Sequence, residues 1–600
     1  MLDVDVWVGN CLFWMLHVLM NAARTVGGPV DRSTIEGIDR DLTQVILDFR
    51  RAVDVEAFRR TRQTGEHLFL AMVHSQLLRL EWEILLRQLE PVVTGYHMDL
   101  CCMDGTRNFI LNQLMDWVTK APEQKEESNT YWIFGLPGIG KTSLAHSICA
   151  SLHNEGHLAG AFFCQRDDRS LSEPRNILPT LIYKLAIIFP PFRRVLAECL
   201  RNHPNLTPGS MNSTLLLELI RNLPRPPKRV LVFVIDAFDE CGDSRSRPGI
   251  LKALTNAAAD APWLKIIVTS RPEIDIHRSF DTLVGSSHER YDLATDKEAI
   301  SDLQIFAQMR FGSVASMRFL PSPWPERSLF DGVISRAADL FIFIETIALA
   351  LEQCRDPTEY LKVTLEDSAG TGLTSLYGLY SSILKARRVH SNAEFQRMLG
   401  VLLTAAPHRP LCEETIAELA GVRVGLVRIW VADLGSLLYR DEGANGGIRV
   451  RHLSISDFFL MSCHTDYRVD LRAANMELGI TCLRKMVEQL RFNICHLEDS
   501  RLANADVHDL PSRIRENISD SLQYSSLFWS NHLCFGGENS DEHVRECLRA
   551  FFKGPYGLFW IEVLSIMGMV PIGVPSLRRV MSTIVKVSTA FCIQAGSNLV

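Results

Sequence analysis

The run IFGLPGIGKTS, Ile133 to Ser143, contains the residue types that a chain of phosphates requires. Gly135, Gly138 and Gly140 let the backbone curl so that successive N–H groups point at phosphate oxygens. Leu136, Pro137 and Ile139 complete the loop, and Lys141, Thr142 and Ser143 open the helix predicted after it. Gly135-x-x-x-x-Gly140-Lys141-Thr142 is the complete P-loop spacing, and an apolar strand precedes it. In that pattern the lysine ammonium reaches the β- and γ-phosphates and the threonine hydroxyl ligates Mg2+. The helix N-terminus adds partial positive charge. The chemistry implied is binding of ATP or ADP with Mg2+.

Two later strand ends extend this reading. In KRVLVFVIDAFDE, Lys228 to Glu240, a buried strand delivers Asp236 to its C-terminal edge. Ligands of open α/β sheets bind at that edge. Asp236 is therefore expected to hold Mg2+ together with Thr142. Asp239 and Glu240 follow one turn later and are the catalytic candidates, placed to polarise an attacking water. LKIIVTSRP, Leu264 to Pro272, ends in Thr269-Ser270-Arg271, where Arg271 would sense the γ-phosphate. The alternative is a solvated arginine at a strand exit.

The elements that must position these residues alternate. YWIF precedes a helix from Lys141, and AGAFF precedes one from Asn176. RVLVFVID precedes a helix near Ile250, and LKIIVTS one after Lys297. Fully apolar strands between helices predict a parallel sheet covered on both faces. The predicted fold is an α/β P-loop NTPase core over residues 130–315, embedded in an otherwise mainly α-helical multidomain chain. Residues 1–100 read as helical, with near-3.6 periodicity over Ile35–Phe58 and Leu68–Leu89. Residues 101–129 hold a lead-in helix and the polar linker APEQKEESN. After the Pro-rich joint Pro321–Glu326, residues 326–390 read as helical. Residues 391–465 read as helix, helix and hairpin, the order of a winged-helix unit, with the turn Glu442–Gly447 before IRVRHLSI. Residues 466–600 read as helical, without visible repeats.

Composition excludes several classes. The chain has 600 residues, 47% hydrophobic and 22% charged. That is globular, neither disordered nor multi-span, and long enough for roughly three to six domains. A net charge of −7 gives nucleic-acid binding no support. The 15 cysteines include no CxxC pair, so reduced thiols and a cytoplasmic location are expected. Val6–Ala23 lacks Asp, Glu, Lys and Arg, yet Asn10, Trp14, His17 and Asn21 share one helical face. It reads as a soluble core or docking helix rather than a membrane contact.

At these motifs the chain resembles the NACHT family of signal-transduction NTPases in the STAND class. The likeness is to fungal NACHT and nephrocystin-like proteins in particular. VIDAFDEC is close to the family's VIDALDEC, with the acidic pair displaced to Asp239-Glu240, and TSRPE (Thr269–Glu273) matches its post-strand signature. CMDGTR (Cys102–Arg107) with Trp117 looks like its CxxGTR lead-in. FFCQRD (Phe162–Asp167) and ILPTLIYKLA (Ile177–Ala186) resemble its second strand and following helix. RAADLFIFIETIAL (Arg336–Leu349), RHLSISDFFL (Arg451–Leu460), LRFNICHL (Leu490–Leu497) and YSSLFWSNHL (Tyr524–Leu533) match segments further on. Asp339 and Ile344 depart from the family's Gly and Ala, which leaves base preference open. ATP is preferred over GTP because no NKxD motif follows the sheet.

The resemblance implies a switch. ADP would join the P-loop domain to the winged helix through Lys141 and His452, and ATP would loosen that contact and expose a surface for homo-oligomer formation. Hydrolysis would be a slow reset. It also implies an incompatibility or innate-immunity-like output and an unknown protein partner for the N-terminal helical region. His452 aligns with a histidine that touches the diphosphate in related switches; a purely structural histidine is the alternative. A conventional NTPase or kinase and a nucleotide-free scaffold remain as other classes.

Overall fold

A computed structural model describes residues 88–120, 129–203, 213–283, 288–367, 370–387, 392–441, 446–462, 467–499, 502–535 and 542–581, with residues 82, 85 and 86. Val6–Ala23, Ile35–Phe58, most of Leu68–Leu89 and residues 121–128 of the polar linker lie outside the described residues. The described residues fall into two compact units, Trp82–Leu478 and a second that begins at Gly479. The limits drawn at residues 100 and 466 both lie within the first unit.

The first unit is organised by one sheet. Its strands are β1 (Thr130–Phe134), β2 (Leu158–Phe163), β3 (Leu231–Asp236), β4 (Leu264–Ser270) and β5 (Glu289–Asp292). All pair in parallel, in the order β2-β3-β4-β1-β5. Every residue of β3 and β4 is buried, as strands covered on both faces must be. Successive side chains enter opposite cores. Val232 and Val234 face the core shared with helices α1 (Asn108–Thr119) and α2 (Lys141–Asn154). Phe233 and Ile235 face the core built with α3 (Ile177–Ile188), α4 (Arg247–Asp260) and α5 (Ile274–Leu283). In that second core Trp132 stacks on Phe280 with ring centroids 4.6 Å apart.

β5 was not foreseen. Its sequence, ERYD, has no apolar run, because an edge strand is half exposed. The strand order has a consequence for the site: β4 lies between β1 and β3. The segment after β4, with Arg271, therefore emerges between the P-loop and Asp236.

Helix α6 (Ala299–Met317) closes the α/β block. Beyond it come α7 (Arg327–Ala337), α8 (Phe341–Gln353) and α9 (Leu373–Ala386). Next are α10 (Ala393–Ala405), α11 (Glu413–Ala420) and α12 (Val424–Asp433). The antiparallel hairpin β6 (Leu438–Arg440) and β7 (Ile448–Val450) follows, then the short helix α13 (Leu453–Asp457). These last elements, from α10 to α13, are called the hairpin unit below.

The second unit is mainly helical, but LRFNICHL is not helix. The preceding helix ends at Gln489, and Asn493 is left-handed at φ 49°. The Glu562 carboxylate accepts the N–H groups of Asn493 and Ile494 at 3.2 and 3.1 Å, which satisfies backbone donors that a helix would otherwise pair. Among the described residues no helix is long and apolar enough to cross a membrane.

Candidate nucleotide-binding site

The loop after β1 needs its glycines. Gly138 and Gly140 have φ of 84° and 96°, a region costly for residues with a Cβ. Gly138 is also approached closely: a Cβ there would stand 2.1 Å from Ile342 Cγ2 of α8. The Ile342 N–H donates to the Gly138 carbonyl at 3.2 Å, so the start of α8 lies over the loop. Gly135 and Ile139 are buried, Leu136 is exposed, and Pro137 and Ser143 are half-buried. The Lys141 ammonium donates to the Gly135 and Leu136 carbonyls at 2.8 and 2.9 Å. Burial pulls it down to about 8, while Asp239 and Asp236 oppose the shift, so it remains largely charged at neutral pH.

Asp236 ends β3 and is buried. Its Oδ1 accepts the Thr269 hydroxyl at 2.5 Å, and the exposed Thr142 also hydrogen-bonds to it. Burial raises its carboxyl, and the two hydroxyls and Lys141 work against that. Thr269, the first residue of the TSRPE signature, thus serves Asp236. Ala237 is left-handed at φ 51° and turns the chain back into one 3-10 turn, Phe238–Glu240. This bend explains how acids three and four residues after Asp236 return to the strand edge. Asp239 Oδ1 accepts the Arg271 N–H at 2.8 Å. Its buried Oδ2 lies 3.3 Å from Arg271 Nε but has no hydrogen bond. The Glu240 Oε2 accepts the Arg166 N–H at 3.2 Å, and burial with the nearby Asp239 charge pushes its carboxyl up to about 7.

Two residues of the hairpin unit reach this edge. Asp457 Oδ2 lies 2.7 Å from Arg271 Nη1, and Asp457 Oδ1 lies 4.0 Å from Arg166 Nη1. His452 Cε1 lies 3.8 Å from the place a Gly138 Cβ would occupy. Its Nδ1 accepts the Ser454 N–H at 3.1 Å and caps α13, which assigns the proton to Nε2. The Ser454 hydroxyl in turn meets Tyr380 of α9 at 2.8 Å. Burial, with Lys141 and Arg271 nearby, holds His452 down at about 3, so it is neutral at physiological pH. Further out, Arg449 Nη1 of β7 pairs with Asp167 at 3.2 Å.

The residues present fit a nucleotide and Mg2+. Left-handed glycines leave space where a Cβ would intrude, Lys141 supplies a cation, and Asp239 Oδ2 is a buried acceptor without a hydrogen bond. Thr142 and Asp236 are paired oxygen donors of the kind Mg2+ takes. Among the described residues no three His, Cys, Asp or Glu side chains form a metal site by themselves. A Mg2+ here would share Thr142 and Asp236 with phosphate oxygens.

Sequence reasoning missed several residues around this site. Arg107 of CMDGTR is buried and left-handed at φ 58°. It pairs with Asp296 at 2.7 Å, donates to the Ile139 carbonyl at 2.8 Å and lies over the Phe341 ring. Its signal was its position in a motif, but its partners are about 30 to 230 residues away in the chain. Asp457 is the acid of RHLSISDFFL, but nothing local paired it with Arg271, and Arg247 carried no local signal. Asp339 is half-buried near Arg107 and Asp296, and its carboxyl is raised by burial. The left-handed residue of that turn is Ala338, at φ 42°. Ile344 is buried.

Glu240 sets a pH dependence. Its ordinary value is 4.5 and its folded value is about 7, so between those limits the folded chain holds a proton that the unfolded chain has lost. Stability contributed by this group is present at low pH and declines as pH rises toward 7. Glu240→Gln is expected to remove that decline and make the nucleotide-free chain more stable above pH 7, by on the order of 3 kcal/mol. Denaturant melts of both proteins near pH 5 and pH 8 would check this; parallel pH trends would refute it.

A parallel sheet with its loop of glycines, lysine and threonine, and an acid at the edge of β3, make this unit a P-loop NTPase domain. The family model described as Nephrocystin 3, N-terminal, matches residues 105–271, from Gly105 to Arg271 and about a quarter of the chain. No curated protein matches the chain. Among solved structures, the Walker-type ATPase paby2304 of Pyrococcus abyssi is similar at 13% identity and TM-score 0.29, over 62% of this chain and 99% of that one. Cdc6p from Pyrobaculum aerophilum is similar at 14% identity and TM-score 0.28, over 62% and 97%. A chain of the Drosophila ORC bound to GC-rich DNA and Cdc6 is similar at 13% identity and TM-score 0.27, over 84% and 73%.

Proposed function

We propose that this chain is a NACHT-type switch that binds ATP or ADP with Mg2+, hydrolyses slowly and controls its own self-association. The observation that carries the reading is the contact of the hairpin unit with the phosphate edge, His452 at Gly138 and Asp457 at Arg271. A domain built only for turnover has no need to tie a distant helical unit to its phosphate loop.

The backbone N–H groups of the loop through Thr142 would bind phosphate oxygens, and the Lys141 ammonium would leave the Gly135 and Leu136 carbonyls for them. Thr142 and Asp236 would hold Mg2+, which supplies charge neutralisation when bound. Glu240, with its carboxyl near 7, is matched to taking a proton from water at neutral pH. Asp239 orients Arg271 toward the terminal phosphate. A γ-phosphate would compete with Asp457 for the Arg271 guanidinium, so ATP opposes the closed hairpin unit, whereas ADP carries no γ-phosphate to do so. A ligand shifts such an equilibrium only by its differential affinity for the two states. The incompatibility or innate-immunity-like output rests on the family resemblance.

The test is equilibrium binding of ADP and ATP to the parental chain and to His452→Ala. A histidine Nε2–H on a diphosphate oxygen is a charge-assisted bond, worth ~1.5–3 kcal/mol, roughly ten- to a hundredfold in affinity. ADP should weaken by that factor and ATP much less. Equal weakening of both would leave His452 a packing residue and take the hairpin unit out of the mechanism.

A further inference from the structure

Arg247 begins α4 and is buried beneath the turn that carries the catalytic candidates. Its Nη2 donates to the carbonyls of Asp239 and Gly242 at 2.6 and 3.2 Å, and its Nε donates to the Cys241 carbonyl at 2.9 Å. Its Nη1 pairs with Glu273 at 2.6 Å and Asp275 at 3.1 Å. Those acids stand two and four residues beyond Arg271. On the other side of the same turn, Asp239 holds Arg271 through its carboxylate. The contacts close a ring: Arg247, the Asp239 backbone, the Asp239 carboxylate, Arg271, Glu273 and back to Arg247.

We infer that Arg247 is a positioning residue, a strut that fixes the Asp239–Glu240 turn against the segment bearing Arg271. The turn lies between two left-handed residues, Ala237 at φ 51° and Gly242 at φ 65°; within it the Cys241 N–H donates to the Phe238 carbonyl at 3.3 Å, while the Asp239 and Cys241 carbonyls accept from Arg247. Buried carbonyls need donors. A guanidinium offers five in one plane, and a lysine ammonium cannot reach three carbonyls and two carboxylates together. The strut has no bond to Gly135–Ser143, so the phosphate cradle and the acid turn are supported separately. Glu273, the last residue of TSRPE, gains a role by this: it anchors the strut rather than meeting the nucleotide. The inference rests on the nucleotide reading of the site and adds what sets its acid geometry.

The experiment uses the full chain with Arg247→Lys, Glu273→Gln and the double variant. Glu273 is half-buried, so Glu273→Gln tests the strut at less risk to the fold of the turn than Arg247→Lys. Fluorescent ADP and ATP analogues report binding, single-turnover assays report hydrolysis across pH, and melts report stability. Expected are affinities close to parental, hydrolysis slowed about tenfold to a hundredfold by misplaced acids, and a pH–rate profile displaced from the parental one. The double variant should be no slower than Arg247→Lys alone, since both break one ring. Parental hydrolysis and pH profile in both single variants would overturn the inference. So would affinity loss that tracks the loss of stability, which is what a purely structural arginine produces. If the parental chain bound neither analogue, the nucleotide reading would fail instead. The strut would then be read in nucleotide-free protein: the pH dependence of melting assigned to Glu240 should change in Arg247→Lys, and an unchanged dependence would overturn it.

Discussion

Lys141→Ala is expected to abolish measurable high-affinity binding of ATP and ADP while the sheet stays folded. The ammonium is the cation closest to the loop, and it remains charged although burial pulls it to about 8. Its loss removes charge-assisted bonds to at least two phosphates and leaves Asp236, Asp239 and Glu240 facing the nucleotide with less counter-charge. Such bonds are worth ~1.5–3 kcal/mol each, so a loss of at least a hundredfold follows. The fold should survive because the lysine's partners without nucleotide are two loop carbonyls, one of them that of the exposed Leu136. Calorimetric titration with each nucleotide, beside a thermal melt, measures both halves of this expectation. Parental affinity in the variant would end the P-loop assignment of the site.

The second large effect is expected at Asp457. Its carboxylate pairs with Arg271 and approaches Arg166, and both arginines stand beside Asp239 or Glu240. The Asp457 side chain is 10% exposed and that of Arg271 is 19% exposed, so the pair is mostly shielded. Breaking a fully buried pair costs about 3–5 kcal/mol and an exposed one about 0–1. Asp457→Ala should therefore loosen the hairpin unit by about 2 kcal/mol, between those limits. Arg271 would be freed for a γ-phosphate, so the ATP-to-ADP affinity ratio should rise. Hydrogen exchange should increase in β6, β7 and α13, and sedimentation should show more self-association without a trigger. Protection that stays parental in those elements, with no change in assembly, would show that the bridge does not hold the unit closed.

The legible part of the site was the part encoded over short stretches. Ile133 to Ser143 needs only local backbone geometry and a following helix, and both are visible in eleven consecutive residues. Asp236 was legible for a similar reason: an apolar strand of fixed length must end at an edge, and its last residue must face what binds there. Asp239 and Glu240 stand out in the sequence as acids after the strand, but the reason they return to that edge, a left-handed Ala237, leaves no trace in residue type. β5 escaped because a polar edge strand has no hydrophobic signature, and LRFNICHL read as helix because its cap, Glu562, lies about 70 residues on.

The sequence by itself determined that a phosphate loop, an acid and an arginine stand at strand ends of an apolar, helix-covered sheet. Local propensity and hydrophobic period suffice for that. Only the tertiary structure decided which of these touch. The insertion of β4 between β1 and β3 puts Arg271 between the loop and Asp236, and no single strand's pattern contains that order. The contacts of Asp457 with Arg271, His452 with Gly138, Ile342 with Gly138 and Arg107 with Asp296 span roughly 180 to 310 residues of chain. Closing such loops costs entropy that grows only slowly with length, so distance along the chain neither forbids these contacts nor foretells them. They exist because buried charges and backbone groups must find partners, and the packed fold decides which ones are within reach.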